Sequence, residues 1–154
     1  MAETLGSLCD KLTIVKLKQW HSEDPERLNS LAIQEQQLQL EINQFIEDAI
    51  SGETPIEKLV FSANKVFKKD GNYVPEVIGS IGDVFSQLAE INCKLWHEQE
   101  KVYDFEQVPS SEKDLVVKQL ALLNLGRNKC IDRIDRQFQS TISQLTNKEN
   151  PKCT

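Results

Sequence analysis

An all-α fold, an antiparallel four-helix bundle with an irregular segment between helices 2 and 3, is what the patterning of this chain predicts. Three observations lead there. Apolar residues recur at three- and four-residue spacing over four long stretches. Prolines are few, 5 in 154 residues, and Pro25, Pro55, Pro75 and Pro109 fall at the edges of those stretches. Two of the expected connections are short and one is long, which suits helices running up and down.

The first helix is expected from about Thr4 to His21. Leu5, Leu8, Leu12 and Val15 form one line, and Asp10, Ile14, Leu17 and His21 an adjacent one. Asp24-Pro25 then marks a boundary, because Asp caps the next helix and Pro suits its first turn. The second helix follows from about Glu26 to Ile50, with Leu28, Leu31, Leu38, Ile42, Phe45 and Ala49 as its stripe. Ser51-Gly52 ends it, with Gly available for a left-handed cap.

Glu53 to Val74 is the least regular part, expected to pack as a cover. Thr54-Pro55-Ile56-Glu57 is suited to start a short helix, and Asp70-Gly71 suits a short hairpin. The third helix is expected from Pro75 to about Phe105, its heptad stripe reading Ile78, Ile81, Phe85, Leu88, Asn92, Leu95, Gln99 and Val102. Ser111 with Asp114 has the spacing of a capping box. The fourth helix runs from about Glu112 to Leu145, with Val117, Leu120, Asn124, Arg127, Ile131, Ile134 and Phe138 in line. Residues 1–146 therefore read as a single helical-bundle domain, followed by a flexible tail at 147–154.

Composition narrows the function classes. No apolar run approaches the roughly 20 residues that span a bilayer. The start Met1-Ala2-Glu3-Thr4 lacks a secretory pattern, so a cytoplasmic protein is expected. Net charge is −6, which argues against nucleic acid and against a polybasic membrane patch as partners. The four cysteines, Cys9, Cys93, Cys130 and Cys153, show no zinc-like spacing. Cys9, Cys93 and Cys130, on predicted helices, are expected to be buried free thiols.

The candidate site comes from polar residues on apolar stripes. Asp10, Asn92, Asn124 and Arg127 occupy such places, and a buried unpaired amide costs about 1–3 kcal/mol. They must pair with one another or line a wet cavity. Arg127 needs an anion, which Asp10 or a small anionic ligand would supply. A structural network that fixes register and a ligand pocket both fit this pattern.

Both histidines and both tryptophans lie in one repeated tetrapeptide, Lys18-Gln19-Trp20-His21 and Lys94-Leu95-Trp96-His97. The tryptophans are expected in the core or at its rim, with the histidines half-exposed. Neither histidine has the Glu three positions earlier that helical di-metal sites use, so neither a metal nor a cofactor is expected. Phosphate-binding glycine loops, zinc-protease motifs and hydrolase elbows are missing from the chain. Leu40, Leu122 and Leu125 fall off the main stripes and suggest a self-complementary patch, hence a homodimer.

The motifs also resemble a family. Asp10-Lys11-Leu12-Thr13-Ile14, Asn92-x-x-Leu95-Trp96 and Leu123-Asn124-x-x-Arg127-Asn128 resemble, in order, the helices of a bacterial helical-bundle family of unknown function. The resemblance implies the same fold and a connection with surface-glycan assembly, hence with a sugar or nucleotide-sugar. Gln99 departs from it, standing where an acidic residue commonly follows the Leu-Trp pair. With Lys11 and Trp96 from these motifs, the candidate ligand-binding set is Asp10, Lys11, Asn92, Trp96, Asn124 and Arg127.

Overall fold

The computed structural model describes residues 2–61 and 73–149. Four α-helices carry the fold, and the described residues contain no strand: α1 Leu5–Trp20, α2 Pro25–Ser51, α3 Ile81–Tyr103 and α4 Lys113–Glu149. Short 3-10 turns lie at Ile56–Lys58 and Phe105–Gln107. The fold is an all-α helical bundle in which α1 packs on α2 and α3 on α4. The chain divides into two compact units. One comprises Met1–Ser62 with Ile131–Thr154, the other Ala63–Cys130.

In the first unit each helix end has a local cause. Thr4 caps α1: its hydroxyl accepts from the Ser7 N–H, and the Ser7 hydroxyl accepts from the Thr4 N–H at 2.8 Å. Asp24 caps α2 through the Glu26 N–H at 3.1 Å, and Pro25 takes the first helical position. Gly52 ends α2 at φ 79°, a left-handed conformation that costs other residues strain. Leu8 and Val15 of α1 bury against Leu31 and Leu38 of α2, with Leu12, Ile42 and Phe45 packed around them. Phe45 also meets Phe138 of α4, their ring centroids 6.1 Å apart. Leu59, just after the 3-10 turn, is fully buried, and residues 62–72 of the expected cover lie outside the described residues.

In the second unit α3 starts at Ile81, not near Pro75. Residues 73–78 have no helical hydrogen bonds, and Gly79 turns the chain at φ 109°. Ser80 is the actual cap, accepting from the Asp83 N–H while Asp83 accepts from the Ser80 N–H at 2.8 Å. That pair is the start signal missed in the sequence. The box read at Ser111 is not one, because α4 begins at Lys113 and the preceding position is Glu112. Val84, Leu88 and Asn92 of α3, with Val116, Gly126 and Cys130 of α4, are the buried positions. Helix α4 extends to Glu149, and residues 150–154 of the expected tail lie outside the described residues. The hairpin expected at Asp70-Gly71 lies outside the described residues.

Candidate functional site

The first unit holds an acidic cluster at the start of α1. Asp135 of α4 is 2% exposed, and its Oδ1 accepts the Gly6 N–H at 2.7 Å. The Thr4 hydroxyl is its second partner. Gly6 lies in the first turn, where backbone N–H groups lack helical partners, so a carboxylate from another helix satisfies one. Only glycine permits this approach: a Cβ at Gly6 would lie 2.5 Å from the Ile131 carbonyl oxygen. Burial dominates the charge of Asp135, pushing its pKa up to about 6 despite the two donors. Beside it the Cys9 thiol is pushed up to about 12, first by burial and then by the charges of Asp135 and Asp10.

Of the predicted site residues, Asp10 is buried here at 3% exposure. Lys11, the next residue, points to water and pairs with Glu3 at 2.7 Å. It also lines a groove of about 370 Å³ between α1 and α2, together with Lys18, Gln34 and Glu41. Asp135 was not singled out in the sequence, because it sits next to Ile134 on a helix read only for its apolar line.

Asn92, Trp96, Asn124 and Arg127 belong to the second unit. Asn92 is buried at 3% exposure, as its place on the stripe requires. Trp96 stands one turn further along α3, half-buried, and its indole N–H donates to Glu100 at 2.9 Å. The other Glu100 oxygen lies 3.3 Å from Nδ1 of His97. Asn124 corrects the expectation: it is exposed, and its amide donates to the Leu120 carbonyl of its own helix at 3.0 Å. Arg127 is half-buried. A fully buried seam through all four polar residues is therefore not what α4 builds.

Three further expectations change. Trp20 is 86% exposed, neither core nor rim. Cys93 is exposed, whereas Cys9 and Cys130 are buried. Leu122 and Leu125 of the second unit are half-buried, whereas Leu40 of the first is exposed. Among the described residues no group of three or more His, Cys, Asp or Glu side chains could hold a metal ion.

The second unit holds a groove of about 360 Å³. Its floor is apolar, with Val74, Ile91, Leu122 and Leu123, and its rim carries Gln87, Glu90, Lys94 and Gln119. The stretch 73–77 forms one wall. Lys129 Nζ donates to the Val74 carbonyl at 2.9 Å, and Gln87 Nε2 donates to the Ile78 carbonyl at 2.8 Å. Gly126 faces Ile91 and Val74, and a Cβ there would make ordinary contact with both, at 3.4 and 3.6 Å. Glu90 and Lys94 pair at 2.5 Å, and the Lys94 ammonium holds the Glu90 carboxyl below its ordinary range. No helix among the described residues is long and apolar enough to cross a membrane. Comparison with protein-family models, with curated proteins and with solved structures found no match, so the family resemblance rests on its motifs alone.

Proposed function

We propose that this chain is a non-catalytic interaction module that works as a homodimer. The carrying observation is apolar surface that the packing does not use. Ile33, Leu40 and Ile50 on α2 are 60%, 69% and 63% exposed. Single exposed apolar residues are ordinary, but a row of them on one long helix invites a partner. The chemistry of the titratable groups supports the same reading. Cys9 and Cys130 have thiols raised to about 12 and about 11, mainly by burial, which leaves them inert as nucleophiles at neutral pH. Asp135 has the pKa of a general base, but it is shut from solvent and occupied by Gly6 and Thr4. Three free thiols among the described residues support a reducing compartment such as the cytoplasm. Sedimentation equilibrium should give twice the chain mass of 17.6 kDa. A monomer at high protein concentration would remove the reading.

A second reading rests on the groove of the second unit. Its volume suits a small molecule, and an apolar floor with a few amides at the rim is how such sites orient a ligand. Its lining carries Glu76 and Glu90 against Lys94 alone, and Arg127 is not part of it. The balance favours a neutral polar ligand such as a sugar over the small anion that the sequence suggested. Calorimetric titration with monosaccharides and nucleotide-sugars tests this, and Gln119→Leu should weaken any binding seen. Turnover of a nucleotide-sugar, abolished by Arg127→Ala in a folded variant, would replace the module with an enzyme.

A further inference from the structure

Helix α2 carries two heptad seams on opposite faces. Leu31, Leu38, Ile42, Phe45 and Ala49 form the inner one, buried or half-buried against the rest of the first unit. The outer one reads Ile33, Gln36, Leu40, Asn43, Glu47 and Ile50, and all six are exposed. These residues alternate at three- and four-residue steps, the a and d pattern of a coiled coil. A helix that folds on one face needs no second seam on the other.

The outer seam is complementary to itself when reversed. In an antiparallel helix pair, a positions of one chain face d positions of the other. Ile33 then meets Ile50 of the second copy, and Gln36 meets Glu47 of the second copy. Leu40 meets Asn43 of the second copy, and each contact occurs twice about the two-fold axis. The Gln36 amide donates to the Glu47 carboxylate, satisfying the only charge on the seam. The parallel, in-register alternative sets Glu47 against Glu47 and is disfavoured by like charge. Flanking positions Gln37, Gln39 and Gln44 are neutral, so nothing at those positions repels a second copy. Asn43 lowers affinity near the axis but, with Gln36, fixes register, as buried amides do in coiled coils.

We propose that α2 is the self-association surface, joining two copies antiparallel about an axis between Leu40 and Asn43. This rests on the homodimer reading and adds to it the face, the direction and the register. Two measurements test it. Sedimentation of Leu40→Glu should show dimer association weakened by at least about tenfold relative to wild type, with circular dichroism unchanged. In a Cys93→Ser, Cys153→Ser background, Ile33→Cys and Ile50→Cys chains should form a disulfide when mixed and oxidised, whereas neither should cross-link with itself. A dimer that survives Leu40→Glu overturns this face while leaving the homodimer standing. Cross-linking of Ile33→Cys to itself overturns the antiparallel direction, and a wild-type monomer overturns both proposals together.

Discussion

Raising the pH from about 4 to 7 should destabilise this protein through Asp135. Its ordinary pKa of 3.8 rises to about 6 in the fold, because burial penalises the charged form more than Gly6 and Thr4 compensate it. A pKa difference of one between folded and unfolded chain corresponds to about 1.4 kcal/mol, so the effect is at most ~3 kcal/mol. Between the two pKa values the folded chain holds a proton that the unfolded chain has lost. Stability from this group is therefore greatest at the low end of the window, falls as pH rises through it, and is fully lost above about pH 6. Glu3, Glu35, Asp83 and Glu90 are held below their ordinary values by hydrogen bonds, so their contributions vanish only as pH drops below about 4.5. The two trends place the stability maximum at the acid end of the window, at about pH 4.5. Urea denaturation at a series of pH values from about 4.5 to 7.5 measures the slope. Asp135→Asn keeps an acceptor for the Gly6 N–H and removes the titration, so its stability should be flat across that range. Wild-type stability that rises through the window, or a variant with the same slope as wild type, would refute the reasoning. The charge of Asp132 also bears on this carboxylate, and Cys9 beside it, raised to about 12, keeps its proton throughout.

Other expectations follow from single contacts. Gly6→Ala sets a methyl against the Ile131 carbonyl, which must move, and should cost about 1–3 kcal/mol in chemical denaturation; wild-type stability would show that the helices separate freely. Leu88→Ala empties a fully buried site on α3 and should cost about 2–5 kcal/mol, and a loss under ~1 kcal/mol would mean the site collapses. Among Cys9, Cys93 and Cys130, only Cys93 should react quickly with a thiol reagent in the native protein. Fast labelling of two or three of them would contradict the burial of the others.

The fold class was legible in the sequence, and so were α1 and α2, because each of those helices keeps one buried face along its length. Leu28, Leu31, Leu38, Ile42, Phe45 and Ala49 are all buried or half-buried on α2, and Glu35, Ile46 and Asp48 join them at the edges of that face. Helix α4 shows why the candidate site was less legible. At 100° per residue, its buried positions Ile131, Ile134, Asp135, Phe138 and Ile142 share one face. The buried positions Val116, Gly126 and Cys130 centre on a face about a quarter turn away. The helix passes from one compact unit to the other between Cys130 and Ile131, and its buried side changes there. A single heptad line carries the later face back into the earlier half, where it selects Val117, Asn124 and Arg127. That is why Val117 is 56% exposed and Asn124 faces water. Asn92 was placed correctly because α3 stays within one unit, with Val84 and Leu88 on the same side. Nothing in periodicity marks a change of packing partner inside a continuous helix, and Gly126 is the local hint of it.

The same part of α4 makes the groove depend on a few long side chains. Residues 73–78 run without a helix or a strand partner, so their carbonyls need other donors. Lys129 supplies one to Val74 and Gln87 another to Ile78, each from a different helix. Both bonds are exposed, and each contributes about 1 kcal/mol or less to global stability. Local order is more sensitive, because a segment with few buried contacts opens well below the energy of global unfolding. Lys129→Met should therefore leave the urea midpoint nearly unchanged while raising hydrogen exchange and proteolytic cleavage at 73–78. The groove takes one of its walls from this segment. Ligand binding there should weaken in parallel, by the fraction of molecules in which the wall has opened. The proposed dimerisation through α2 should not change, since none of its seam residues belongs to this unit. Unaltered exchange at 73–78 in the variant would mean that side-chain packing against Gly126, and not the lysine bond, holds the wall in place.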